Sequence, residues 1–273
     1  LSYMDLSTGE FKVTELSEFS AVVGEIASLK AREIVVGFPL DEAQVKVFER
    51  QMNLLISEQF EIPENLLIEL SGLTALENQA ASKLLAYVKE TQMRDLSHLQ
   101  EVEHYEIKDF LQMDFATKSS LELTANKREN KKHGTLYWLL DETKTAMGTR
   151  MLRSWIDRPL VSNSAIQKRM EIVQVFLGHF FERSDLIEAL KGVYDLERLA
   201  SRVSFGKAVP VDFLQLANSL SNVPAIKNIL EVLDETSLNE LRSQLDEIPE
   251  LSGLINSAIS ENASRTITEG GII

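Results

Sequence analysis

The hydrophobic period of this chain changes once, near residues 107 to 113, and that single change limits the folds open to it. Before it, short β-branched runs alternate with helical patterns; after it, strand signals stop and the 3.6-residue period takes over. A purely α or purely β architecture is thereby excluded. The expectation is a small mixed α/β domain over residues 1–110 followed by an all-α helical bundle over residues 111–273. With 273 residues the chain is long enough for about two domains, each with a core of its own.

In the first part, Tyr3 and its neighbours are joined through Ser7, Thr8 and Gly9 to Phe11 and Val13, which alternate with Lys12 and Thr14; this reads as a hairpin. Ser17 is placed to cap a helix over residues 18–30. Ile34, Val35 and Val36, closed by Gly37 and Pro39, read as a buried central strand. A helix over residues 41–51, a second apolar run at Leu54, Leu55 and Ile56, and a helix carrying Leu76, Ala80, Leu84, Tyr87 and Val88 follow. This order predicts one small mixed sheet.

The second part is a series of apolar stripes. Ile166, Met170, Val173, Leu177 and Phe180 step by four and three residues, as do Leu196, Leu199, Ala200 and Val203. Further sets are Phe213, Leu216, Ala217 and Leu220, then Ile226, Ile229, Leu230 and Leu233, and finally Leu251, Leu254, Ile255 and Ile259. Pro210, Pro224 and Pro249 are expected at first helical turns. In residues 133–160 the apolar set Ala146, Met147, Met151, Leu152, Trp155 and Ile156 defines a helix stopped by Pro159, with Lys144, Arg150, Arg153 and Arg158 on or beside its other faces. Both Trp138 and Trp155 are expected in the core, and a buried Trp155 implies a cost of roughly 3–5 kcal/mol for Trp155→Ala.

Charge narrows the function. The net charge of −14 is ill suited to a dedicated nucleic-acid binder. It is unevenly spread: residues 1–106 carry 19 acids and 8 bases, whereas residues 118–169 carry 5 acids and 11 bases. The densest basic cluster, Lys127, Arg128, Lys131 and Lys132 beside His133, falls in an expected inter-helix turn. It is a candidate for contact with a DNA backbone or an acidic partner, against the plainer reading of a solvated connection. With no cysteine, disulfides and thiolate metal sites are excluded, which fits a reducing compartment such as the cytoplasm. No run of eighteen apolar residues suggests a membrane span. An opening inside a strand and an ending on Gly270, Gly271, Ile272 and Ile273 read as a piece of a longer protein.

Phosphate-binding loops of the GxxxxGK(S/T) or GxGxxG type are missing, so no nucleotide, metal or other cofactor site is expected within these residues. His98, His104, His133 and His179 lack the spacing of a helical metal site. Asp5, ending the first strand, stands where a metal-dependent nuclease of the ribonuclease-H type keeps a carboxylate, with Glu33, Asp41 or Glu69 as possible companions; the competing reading is a turn supported by Ser7 and Thr8. The segment GHFFE, at residues 178–182, superficially matches a G-x-F-Y-E pattern that can wedge an aromatic side chain between DNA base steps. Phe180 lies on the helical stripe, however, and burial explains it.

Four segments carry a resemblance. YMDLSTGEF at residues 3–11, DFATKSSLELT at 114–124, HGTLYWLLDETKTAMGTRMLRSWIDRPL at 133–160 and YDLERLASRVSFGKAVPVDFLQLANSL at 194–220 occur in the order found in the MutS family of bacterial DNA mismatch-repair proteins, and TITEGGII at 266–273 resembles the stretch preceding its clamp helices. One departure is Ser119, where many members have arginine. The resemblance implies a ribonuclease-H-like connector domain joined to the first half of a helical lever domain. It implies a non-catalytic coupling piece that offers a docking surface to MutL. Mismatched double-stranded DNA, ATP with Mg, and homodimerisation are then handled mainly by parts outside this chain. The alternatives are a nuclease using Asp5 or a plain interaction scaffold.

Overall fold

In the computed structural model, residues 1–92, 96, 99–113, 115–260 and 263 are described; His98 and residues 266–273 lie outside them. Strands β1 (Ser2–Asp5) and β2 (Glu10–Val13) pair antiparallel with Ser2 opposite Val13. The turn closes because Gly9, at φ 80°, adopts a left-handed conformation and donates to the Asp5 carbonyl at 2.8 Å. Phe11 and Val13 are buried, as the alternation predicts.

Helix α1 (Phe19–Leu29) follows. Its N-cap is Glu18, whose side chain makes no capping bond, so the expected Ser17 cap is incorrect. Packing sets this start instead: Phe19 meets Phe48 edge to face at 5.5 Å. After β3 (Glu33–Val36), helix α2 (Glu42–Lys46) is held by a reciprocal capping box between Asp41 and Gln44, and runs on as a π turn at Val47–Gln51. Strand β4 (Leu55–Glu58) pairs parallel with β3, placing Ile34 opposite Ile56. Helix α3 (Ala75–Gln92) leads to the short β5 (Glu103–His104), which adds parallel to β2.

The expected single sheet is therefore two small ones among the described residues, ordered β1-β2-β5 and β3-β4. β3 is accordingly not a central strand. Each sheet answers to a different support: β3-β4 packs with Ile26, Phe48 and Leu54, whereas α3 lies across β1 and β2. Competition between two packing surfaces splits what periodicity alone would join.

Beyond Phe110 the described elements are helical: α4 (Phe115–Leu121), α5 (Leu136–Leu140), α6 (Ala146–Asp157), α7 (Asn163–Gly178), α8 (Phe180–Lys191), α9 (Leu196–Ser204), α10 (Pro210–Leu233), α11 (Asn239–Gln244) and α12 (Pro249–Ala258). Central to them is α10, which contacts α8, α9, α11 and α12. Its inward residues Ala217, Leu220, Val223, Ile226, Leu230 and Leu233 are buried. Pro210 and Pro249 open their helices as expected, but Pro224 lies inside α10 rather than between two helices. Continuous burial on both sides of Pro224 sustains the rod across its missing N–H.

One expected stripe faces the other way. Met170, Val173 and Leu177 of α7 are exposed, while Ile172, Val175 and Phe176 pack on Leu230, Leu233 and Leu238. Phe180 is 64% exposed, which corrects the expectation that it is buried. The chain breaks at His179 (φ −118°, ψ 80°), so α7 and α8 are separate helices and the stripe does not run through.

Candidate functional site

Lys127, Arg128, Lys131 and Lys132 all lie in the loop between α4 and α5, but they do not form one open basic surface. Lys132 turns inward, pairing with the Asp141 carboxylate and sitting 4.4 Å above the Tyr137 ring. Lys131 pairs with Glu129 at 2.9 Å, and the Lys127 backbone N–H donates to Glu122 Oε1 at 2.6 Å. Lys127 and Arg128 are exposed. The hydrogen bonds from Lys132 and Thr143 hold the Asp141 carboxyl below its ordinary value. A depressed folded-state pKa contributes stability that is complete above the unfolded value of about 3.9 and lost as pH falls through the folded one. Urea melts are therefore expected to show wild type losing more stability between about pH 5 and pH 2 than Asp141→Asn. Equal losses would remove Asp141 as a titrating anchor.

The stronger construction is at the junction of the α/β and helical parts, built around α6. Thr145 caps this helix by accepting from the Gly148 N–H at 3.0 Å. Twelve residues at about 1.5 Å each make a rod roughly 18 Å long. Near its first turn, Arg150 donates to both carboxylate oxygens of Asp195 at 2.7 Å and to Glu197 at 2.5 Å. Asp195 also caps α9, so the fork ties α6 to the start of that helix. The Arg150 hydrogen bonds hold Asp195 below the usual carboxylate range.

Immediately past the other end, Arg158 pairs with Glu25 of α1; Glu25 is buried and the Arg158 side chain is 17% exposed. Tyr105 donates to the same Glu25 Oε1 at 2.8 Å and stacks edge to face with Tyr3 at 5.7 Å. Burial, then the Glu25 charge, pushes the Tyr105 hydroxyl well above its ordinary value, so it remains a donor. Burial pulls Arg158 downward, but the Glu25 carboxylate outweighs it and the net direction is up. Lys118 donates to Ser28 Oγ at 2.8 Å, and Lys30 reaches Asp157 at 3.4 Å. Ser201 of α9 donates to the Leu6 carbonyl at 2.9 Å. Finally, Phe110 and Leu160 form an antiparallel bridge beside a 2.7 Å bond from Leu111 N to the Pro159 carbonyl.

The remaining candidates do not converge. Asp5 accepts from the Ser7 N–H at 2.8 Å and the Ser7 hydroxyl at 2.7 Å, as the turn reading requires. Glu33 accepts from Ser57 and Tyr87, Asp41 caps α2, and Glu69 is exposed. Among the described residues no group of three or more His, Asp or Glu could hold a metal ion. His104 bonds Glu77 at 2.8 Å, His179 contacts the Val175 carbonyl at 2.8 Å, and His133 stacks on Trp138 at 4.6 Å. Contrary to expectation, neither tryptophan is in the core. Five-residue α5 buries Tyr137 and leaves Trp138 outside, while Trp155 is 41% exposed beneath the Arg169 guanidinium at 3.8 Å.

Sequence reasoning noted Arg158 only as part of a basic flank and missed Glu25 and Tyr105. A signal was available in the glutamate between Val22 and Ile26 on the inward side of α1, because a buried carboxylate demands a partner.

Residues 1–100 match the family model for MutS domain II, and residues 116–273 the model for MutS domain III. Over its full 273 residues the chain is 99% identical to the DNA mismatch repair protein MutS of Lactococcus lactis subsp. cremoris (strain SK11). It is 93% identical to that of Lactococcus lactis subsp. lactis (strain IL1403) and 62% identical to that of Streptococcus suis (strain 98HAH33) over the same length. The chain spans 32% of the length of each of these relatives.

Proposed function

The chain belongs to the MutS family of DNA mismatch-repair proteins, and from that premise we propose that it is the coupling segment of such a protein, a ribonuclease-H-like connector braced against the first part of a helical lever. The observation that carries this reading is α6, a short stiff helix clamped to α9 by Arg150, one turn in from its start, and to α1 by Arg158 just past its last residue. Coupling requires contiguous packed elements that both ends can bias, and a rod held by charge-assisted bonds at each end is such an element. Mismatched duplex DNA, ATP with Mg and the homodimer contacts belong, on this reading, to parts of the longer protein outside the chain, and the setting is the cytoplasm. No described helix is long and apolar enough to cross a membrane.

The exposed faces support the same reading. Met170, Val173 and Leu177 on α7, and Phe180 and Phe181 on α8, form apolar surface that a longer protein would cover. The acidic first part suits a protein partner rather than a phosphate backbone, which favours docking of MutL there. Asp5, already engaged by Ser7, gives the nuclease alternative no metal-binding constellation.

The test is a coupling measurement in the full-length protein that contains this segment. Arg150→Met is expected to reduce mismatch-stimulated nucleotide exchange by a factor within roughly 5–150, while affinities for mismatch and for ATP, each measured alone, stay within about twofold. Unchanged stimulation in a variant that melts normally would rule out the α6 brace as the coupling element.

A further inference from the structure

We infer that the loop preceding α3, together with the first turns of that helix, is a docking site for a basic amphipathic helix of a partner protein. Residues 66–73 are polar-bonded to α3: the Ile68 N–H donates to Ser82 Oγ at 2.8 Å, the Leu70 N–H donates to Asn78 Oδ1 at 2.9 Å, and Asn78 Nδ2 donates back to the Leu70 and Leu73 carbonyls at 3.3 Å. Ser82 is fully buried and donates its own proton to the Asn78 carbonyl. A loop fixed by a satisfied buried network is a formed platform rather than slack chain. Yet this platform turns apolar side chains outward, with Leu67 52% and Leu76 62% exposed and Leu70 also open to solvent.

Between Leu67 and Leu76 lies a hollow of about 500 Å³ lined also by Ile62, Ile68 and Ala75 and by the polar Glu69, Asn78 and Gln79. It is large enough to take the apolar side chains of an inserted helix face. Charge selects the occupant. From residue 51 to residue 82 the chain has no Lys, Arg or His, while Glu58, Glu61, Glu64, Glu69 and Glu77 fall in that interval. Glu77 is buried as the reciprocal partner of Thr74 at the start of α3, but Glu69 is exposed and lines the hollow, and the exposed Glu61 and Glu64 stand in sequence beside its lining residues Ile62 and Leu67. An apolar seat with an acidic rim complements a helix with leucine-like residues on one face and lysine or arginine flanking it; it repels acidic helices and DNA alike.

This localises the protein-docking reading of the acidic half, on which it rests, and the two can fail separately. The probe is a Lys/Leu peptide of about 18 residues whose leucines follow helical spacing, titrated against the chain by fluorescence anisotropy. Controls are a scrambled peptide of equal composition and one with Glu for Lys. The paired substitution Leu67→Asp and Leu76→Asp, and separately Glu64→Lys with Glu69→Lys, are expected to weaken binding at least about tenfold, whereas Leu254→Asp on α12 and Glu90→Lys leave it unchanged. All these sites are exposed, so melting curves are expected to stay close to wild type. Unaltered affinity in both paired variants, or equal affinity for the scrambled or acidic peptide, overturns the site. Whether the chain captures MutL at all, tested in the same variants, reports separately on the wider docking reading.

Discussion

Replacing Arg158 with methionine is expected to cost about 3–5 kcal/mol of folding stability, a large share of the roughly 5–15 kcal/mol that a domain usually has. Glu25 is only 6% exposed, and the guanidinium is its ionic partner there. Removing it leaves a carboxylate in a low-dielectric pocket with the Tyr105 hydroxyl as its remaining hydrogen-bond donor among the described residues. Arg158 also lies 5.7 Å from the Tyr105 ring centre and 6.0 Å from that of Phe110, so its flat face packs as well as pairs. The penalty comes mainly from the stranded charge, which dictates a second result. The double variant Glu25→Met/Arg158→Met removes both charges and is expected to recover most of the loss, because a buried pair is worth little over apolar residues of similar size. Lys30→Met is the contrasting surface case: its Asp157 partner is 3.4 Å away, and Lys30 is half exposed. That change is expected to cost no more than about 1 kcal/mol. Urea denaturation of these three variants and of Glu25→Met alone decides the matter. A single-variant cost under about 1 kcal/mol, or a double variant as damaged as the sum of the singles, would show that the junction does not depend on this pair.

The same residues show how much of the molecule could be read in advance. The turn at Gly9, the helix stop at Pro159 and the prolines opening α10 and α12 are local effects of one or two residues on their own backbone, and they emerge directly from the sequence. So does the change from mixed to helical patterning, since period is a property of contiguous residues. Ambiguity enters when a segment has apolar residues on two faces. On α7 the stripe at Met170, Val173 and Leu177 is as regular as the one formed by Ile172, Val175 and Phe176, yet the second packs on α10 and the first does not. Spacing cannot rank two faces; only the partner helix does. The junction lies further out of reach, because Arg158 and Glu25 are separated by 133 positions and nothing local marks them as a pair. The basic turn shows the opposite failure. Its composition is conspicuous, but Lys132 and Lys131 spend their charge on Asp141 and Glu129, leaving a smaller open patch than the count of cations implies.

Leu238→Ala is expected to destabilise the helical half by about 2–5 kcal/mol, whereas Trp155→Ala, despite removing a far larger side chain, is expected to cost about 1–2 kcal/mol. Leu238 closes the short 3-10 turn at Thr236–Leu238 between α10 and α11 and is 0% exposed, in contact with Leu230 and Leu233 at the end of the central rod. Truncating it leaves a cavity that cannot collapse, because Ile172, Val175, Phe176 and Leu245 already wall the cluster from α7 and from the segment after α11. Trp155 has no comparable enclosure. It is 41% exposed, and its main specific contact is the Arg169 guanidinium stacked 3.8 Å from the ring centre. At a surface site that stacking contributes about 0.5–1 kcal/mol, and the rest of the cost is partial burial. Guanidinium or urea melts of the two variants, with Arg169→Ala as a third, separate the possibilities. Arg169→Ala is expected to reproduce much of the Trp155→Ala loss, and the two changes combined are expected to be less than additive, because they delete one shared contact. If Trp155→Ala instead proved the costlier change, α6 would have to pack its Trp155 face inward, and the exposed tryptophan under Arg169 would be the wrong arrangement.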